Sequence, residues 1–252
     1  MPRSGKASLT SWSYCSVEPR ASSKSPALSG LFYAPESLHS SQRSPPGPRE
    51  RGVAQSPAQQ PPDERILNVT ILLLAAGTSR RFGRDKRRAL LPDGTTILER
   101  TTAQALASGL PVMVCLRPSD EELAGALQSL GAQTLLCSLA YRGMGHTLAQ
   151  GLERVKQEDG VLIALGDMPH IQPASYRAVA EALCPGTITL PQCNGSTGHP
   201  VGFSREFFTE LAALTGDRGA RQVIGRNENA IVRVALTDTG IFTDIDSPAD
   251  IT

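Results

Sequence analysis

The strongest constraint on this chain is a set of short apolar runs that recur from residue 69 onward, each followed by a segment of helical periodicity. "VTILLLAA" begins at Val69 and breaks its apolar character only at Thr70. A strand with one wet face alternates apolar and polar residues, so a run apolar on both faces predicts a strand buried on both. "PVMVCL" (Pro111–Leu116), "AQTLLC" (Ala132–Cys137) and "GVLIAL" (Gly160–Leu165) repeat the pattern. Between them, "ILERTTAQALAS" (Ile97–Ser108) places Leu98, Thr101, Ala105 and Leu106 on one helical stripe. "DEELAGALQSL" predicts the next helix, and "HTLAQGLERV" one with Leu148, Leu152 and Val155 inward. "PASYRAVAEAL" predicts another, with Pro173 in its first turn. "TITLP" and "HPVGFS" read as strands around a loop, "REFFTELAAL" as a helix and "AIVRVAL" as a late strand. There is no internal repeat. Alternating strand and helix predict a three-layer α/β domain with a mostly parallel sheet, here assigned to residues 65–252.

Residues 1–64 are different. They are rich in Ser, Pro, Arg and Gln and carry few apolar residues, so burial cannot offset the entropy of ordering them. We expect a disordered extension there. It has no compact apolar core of a secretory signal. Its Arg- and Ser-rich composition is compatible with a transit peptide, with a bland extension, or with an upstream start codon. Residues 1–64 hold seven Lys/Arg and five Asp/Glu. That leaves eighteen and nineteen of the chain's 25 and 24 for residues 65–252. The domain is therefore close to neutral, which argues against nucleic acid as its partner. The five cysteines include no C-x-x-C pair, and Cys115 and Cys137 lie in apolar runs. A disulfide framework or a zinc site is not expected, and a reducing, cytoplasmic setting fits. No apolar run approaches the roughly 20 residues that span a bilayer, so no membrane partner is expected.

In α/β sheets, ligands bind beyond the carboxyl ends of the strands. The first such end is "LLLAAGTSRRFGRDKRR", Leu72 to Arg88, where six Lys or Arg and one Asp fall between Arg80 and Arg88. It matches neither G-x-x-x-x-G-K-[ST] nor G-x-G-x-x-G. It still has the parts of a phosphate cradle. Gly77 and Gly83 permit close backbone approach, the residues between them leave N–H groups free for an anion, and Arg81 and Lys86 can neutralise phosphate. A solvated basic face is the alternative, and a nuclear-import signal a weaker one. The second end is "VLIALGDMPHI", where Asp167 could hold Mg²⁺ or cap the helix that follows. In "GHPVGFSREF", His199 could contact a ligand or be an ordinary loop histidine. In "LTGDRGARQVI", Asp217 and Arg218 could open a helix beside a polar ligand. In "FTDIDSPADI", Asp244 and Asp246 could complete a metal site, or Asp246-Ser247-Pro248 could cap a last helix.

Taken together these segments resemble a known family. "LLLAAGTSRRFGRDKRRALLPDGTTILER" is similar to the L-A-A-G-x-S-x-R-F-G-x-x-K signature of the MobA-like nucleotidyltransferases that act on molybdenum cofactor. "YRGMGHTLAQGL", "ALGDMPHI", "GHPVGF", "GDRGAR" and "DIDSPADI" follow in the family's order, and the match runs from about Val69 to Thr252. The molybdenum cofactor cytidylyltransferase branch is the nearest, beside the guanylyltransferase branch.

The resemblance implies a Rossmann-like nucleotidyltransferase domain. It implies transfer of a nucleoside monophosphate from an NTP to the terminal phosphate of molybdopterin, with release of pyrophosphate and Mg²⁺ as cofactor. Leu74, Ala75, Ala76 and Gly77 match the nucleotide-binding turn. Arg81 and Lys86 match the residues that hold the triphosphate, and His199 is assigned to the substrate site with them. Asp167 matches the magnesium ligand, and Asp244 and Asp246 the late acidic motif near the metal. The guanylyl branch usually has Gly where Ala76 stands, so "LAAG" leans toward CTP. Three features depart from the pattern. Thr147 stands where Ser is frequent, the chain stops soon after "DIDSPADI", and residues 1–64 have no counterpart. Three other readings stay open at this point. One is a nicotinamide-dependent oxidoreductase of the same fold. Another is a non-catalytic carrier that delivers the pterin to a molybdoenzyme of the xanthine dehydrogenase type. The third is a sugar-phosphate nucleotidyltransferase.

Overall fold

The computed structural model describes residues 67–78, 82–83, 85–217 and 219–251. The expected disorder of residues 1–64 and the role assigned to Arg81 therefore lie outside the described residues.

Four parallel strands form the heart of the sheet: β1 (Val69–Leu74), β2 (Val112–Leu116), β3 (Gln133–Leu136) and β4 (Gly160–Leu165). β1 pairs with both β2 and β4, and β2 pairs with β3. Each β1 side chain is buried, and successive residues serve opposite faces. Ile71 and Leu73 pack with Leu98 and Ala105 of α1 (Ile97–Leu106), Leu123 and Leu127 of α2 (Glu121–Ser129) and Tyr176 and Val179 of α4 (Pro173–Glu181). Leu72 and Leu74 pack with Leu148 and Leu152 of α3 (Met144–Arg154), Phe208 and Leu211 of α5 (Phe208–Ala212) and Val223 of α6 (Arg221–Arg226). The sheet is thus sandwiched between two helical layers, as the doubly apolar strands predicted.

Beyond β4 the sheet becomes mixed. β7 (Val201–Ser204) runs antiparallel to β4, and β5 (Ile188–Cys193) antiparallel to β7. β5 also pairs through Gln192 and Cys193 with the short β6 (Ser196–Thr197), and in parallel with β8 (Ile231–Ala235). The "TITLP" strand therefore extends past Pro191 into a hairpin. Two further expectations change at their edges. The helix expected from His146 starts at Met144, and "REFFTELAAL" divides into a 3-10 turn, Arg205–Phe207, and the short α5. The expected last helix is a single 3-10 turn, Pro248–Asp250, closed by a Ser247–Asp250 capping box.

Local chemistry fixes the elements nearest the site. Thr96 and Glu99 form a capping box at the start of α1, worth about 1 kcal/mol, so Thr96→Ala would loosen that end. Cys115, Cys137 and Cys193 are buried free thiols, consistent with small core residues. Among the described residues no helix is long and apolar enough to cross a membrane.

Candidate active site

The carboxyl ends of β1 and β4 open into a cleft of about 520 Å³. Its walls include Leu74, Ala75, Ala76 and Gly77 on one strand end and Leu165, Gly166 and Asp167 on the other. The two ends lie close because Gly166 has no side chain: a Cβ there would stand 2.8 Å from that of Ala75. Past β1 the sheet ladder ends. Among the described residues, the N–H groups of Ala76 and Gly77 have no hydrogen-bond acceptor. Outward N–H groups in a turn that carries no bulk are what an anion requires.

Lys86 reaches the cleft from the 3-10 turn Lys86–Arg88. Its Nζ donates to Asp167 Oδ2 at 2.6 Å, to Asp246 Oδ1 at 3.1 Å and to the Ile245 carbonyl at 3.0 Å. Burial alone would lower its pKa, but the hydrogen bond and charge of Asp167, then those of Asp246, outweigh burial and raise it. Lys86 therefore stays an ammonium.

Asp167 does not cap α4. The residue before that helix is Gln172, and the carboxylate nearby belongs to Asp238, whose Oδ2 accepts from the Gln172 N–H and the Ser175 hydroxyl. Asp238 Oδ1 also accepts from Gly240 N–H, so this buried acid ties α4 to the loop that leads to the last acidic motif. Asp167 is thus left to the cleft. Its Oδ1 is buried with no hydrogen-bond partner among the described residues, and such an atom is costly unless something binds it.

Asp244 and Asp246 converge on Asp167 from far along the chain. One oxygen from each of the three lies within 4.8 Å of the others. Ile245, between them, makes this possible. Its side chain is fully buried with Phe82, Ala89, Leu91 and Ile97, and its N–H donates to the Asp167 carbonyl at 3.0 Å. Three carboxylates form a hard oxygen donor set of the kind Mg²⁺ and Mn²⁺ use. The orphaned Asp167 oxygen fits that role.

His199 and Asp244 are not among the side chains that line the cleft. The His199 ring faces the Ile163 carbonyl at 3.4 Å, and its peptide bond to Pro200 is cis. Burial lowers its pKa, a trend that nearby Asp167 and Asp244 oppose, so the ring is neutral near pH 7. The turn before α3 supplies Tyr141, Arg142, Gly143 and Met144 to the cleft mouth. It docks by backbone on the "TGD" loop: the Gly145 N–H donates to Gly216 O at 2.8 Å, and a Cβ on Gly143 would stand 2.4 Å from the Gly216 carbonyl carbon. Asp217 lines the cleft as well.

The basic cluster needs one correction. Arg87 is buried and spends its charge inside the protein, on Asp85 and Asp120. Arg88 pairs with Glu122 at the surface. Of the cluster's described residues, only Lys86 presents its charge to the acidic side of the cleft. Sequence reading missed Arg87 because a buried and a solvated arginine look alike in a charge run. Asp120, directly before α2, makes no side-chain capping bond to that helix.

A sequence profile for the MobA-like NTP transferase domain matches residues 71–231. The chain belongs to this family. Solved structures agree. Rv0371c from Mycobacterium tuberculosis H37Rv is 30% identical, covers 73% of this chain and 95% of its own, and superposes with a TM-score of 0.63. A manganese complex of Rv0371c superposes with a TM-score of 0.58, with 28% identity over the same shares. Molybdopterin-guanine dinucleotide biosynthesis protein A from Archaeoglobus fulgidus shares the fold at 19% identity and a TM-score of 0.52, over 72% of this chain and 94% of its own. Nicotine blue oxidoreductase from Paenarthrobacter nicotinovorans is 23% identical over 73% of this chain and 95% of its own length. The fold is that of an α/β nucleotidyltransferase, and the family places the chain among nucleotide-using transferases.

Proposed function

We propose that this chain transfers CMP from CTP onto the terminal phosphate of molybdenum cofactor and releases pyrophosphate. The observation that carries this reading is Asp167, which has one oxygen on Lys86 and the other buried with no partner among the described residues, in the cleft that the Ala76–Gly77 turn also lines. That puts a candidate cation site and a candidate anion site in one cleft, as phosphoryl chemistry needs.

Asp167, Asp244 and Asp246 would hold a divalent cation, Mg²⁺ or Mn²⁺, and the manganese complex of Rv0371c supports such an ion. When bound, the ion supplies charge neutralisation on the phosphate oxygens. The remaining steps belong to the chain. The free N–H groups of Ala76 and Gly77 bind triphosphate oxygens. Lys86, charged throughout, stabilises the negative charge that builds on departing pyrophosphate. The cleft walls hold the two anions in line, which supplies most of the catalysis. No general base is needed, because the attacking phosphate oxygen is ionised near pH 7. His199, neutral and clear of the cleft, is not required for proton transfer.

The preference for CTP rests on Ala76 in "LAAG", and the pterin acceptor on the six motifs in the family's order. The test is transfer of label from CTP, GTP or ATP to molybdopterin with Mg²⁺, with NADH oxidation followed in parallel. CMP transfer with pyrophosphate release is expected. Guanylyl transfer would move the reading to the sister branch. NADH oxidation without transfer would replace it with the chemistry named for the Paenarthrobacter relative. A carrier for a molybdoenzyme of the xanthine dehydrogenase type would show neither activity and would tolerate loss of Lys86 and Asp167.

A further inference from the structure

Arg87 has five guanidinium N–H donors, and every one is used within the protein. Nε and one Nη2 hydrogen go to Asp85 Oδ1 and Oδ2, at 2.8 and 2.6 Å. The other Nη2 hydrogen and one Nη1 hydrogen go to Asp120 Oδ1 and Oδ2, at 2.9 and 2.5 Å. The fifth donor, on Nη1, bonds the Ala75 carbonyl at 2.7 Å. Arg117 closes the ring from outside, with Nη2 on Asp85 at 2.6 Å and Nε on Asp120 at 3.2 Å. No donor of Arg87 is left for a phosphate.

The bond to Ala75 has a geometric consequence. A peptide unit is planar and trans, so its C=O and N–H point in opposite directions. Fixing the Ala75 carbonyl toward Arg87 fixes the Ala76 N–H away from it. Ala76 lines the cleft, and its N–H has no acceptor among the described residues. The same guanidinium grips Asp85, whose carboxylate caps the turn that carries Lys86.

We propose that Arg87 is a positioning residue: its grip on the Ala75 carbonyl and on Asp85 sets the direction of the Ala76 N–H and the place of Lys86, the two groups that receive the triphosphate. This rests on the reading of the cleft as a nucleotide site, and it is independent of the base and of the acceptor.

Inorganic tripolyphosphate with Mg²⁺ is therefore the probe, since it has neither base nor acceptor. Arg87→Lys keeps the charge but has three donors in place of five and no planar fork. Arg117→Lys perturbs the same two aspartates without touching Ala75. Arg87→Lys should weaken tripolyphosphate binding and raise the nucleotide KM by roughly tenfold or more, the effect of about one charge-assisted hydrogen bond. Arg117→Lys should change either by less than about threefold on the same scale. Equal losses in the two variants, or a loss confined to kcat, would overturn the proposal. Should Arg87→Lys fail to fold, the wild-type protein still decides. In ¹⁵N-alanine-labelled protein the Ala76 amide should shift when tripolyphosphate binds, and binding without that shift also overturns it. A wild-type protein that does not bind tripolyphosphate would instead remove the nucleotide-site reading itself.

Discussion

Lys86 Nζ stands 2.6 Å from Asp167 Oδ2, so the ammonium expected to hold phosphate is held by the carboxylate expected to hold metal. Asp246 shares it at 3.1 Å. The two expected roles would therefore be coupled: Lys86 neutralises part of the acidic cluster, and a bound phosphate would offer it other oxygens. Lys86→Met should lower transfer by about 10²-fold or more, the scale for one preorganised charge donor. It should also tighten the binding of Mn²⁺ alone, because two of the three carboxylates lose a competing cation. Electron paramagnetic resonance titration of Mn²⁺ measures this second effect, and unchanged or weaker binding would remove the coupling.

Asp167→Asn separates metal binding from structure. Asp238, not Asp167, serves the start of α4, so the variant should keep its melting temperature to within a few degrees. It should lose most transfer activity, and Mg²⁺ with CTP should then stabilise it no more than CTP alone. Transfer at the wild-type rate would exclude Asp167 from the site.

Asp238→Ala should show the opposite pattern. It removes a buried carboxylate that accepts from Gln172, Ser175 and Gly240. A loss of about 3 kcal/mol in denaturant unfolding is expected, with tripolyphosphate binding intact where the variant is folded.

Gly143→Ala tests the cleft mouth. Gly143 has φ 114° and ψ 171°, a region essentially restricted to glycine, and the added Cβ would meet Gly216 and Asp217. The variant should lose about 1–3 kcal/mol of stability and show a raised nucleotide KM. A normal KM would mean that the docking of this turn on the "TGD" loop does not shape the site.

His199 gives a pH signature. Burial lowers its folded-state pKa, so the unfolded chain takes up this proton first as pH falls. The neutral ring's contribution is fully present above the unfolded value, about 6.5, and is lost as pH drops below that through the lowered folded value. Between pH 7.5 and 5, wild-type melting temperature should fall further than that of His199→Asn. Parallel curves would show that the ring is not held neutral.

The three layers were legible in the sequence because burial on both faces leaves a one-dimensional trace. Val69–Leu74 and Gly160–Leu165 are apolar at nearly every position, and only a sheet covered on two sides uses such strands. The strand-end rule pointed to Gly77, Lys86 and Asp167 without reference to any contact, and the family resemblance added Ala76. Contacts across long separations left no such trace. Lys86 meets Asp246 across 160 positions and Arg87 meets Asp120 across 33, and no local pattern announces either pair. Charge was the least legible property. Arg87 and Lys86 are neighbours in one basic run and both border the cleft, yet every donor of the first is taken by Asp85, Asp120 and the Ala75 carbonyl while the second meets the acidic cluster. Composition sets how much charge a segment carries. Where each charge points, and whether it is left over for a substrate, is decided only when tertiary packing brings its partners within hydrogen-bond distance.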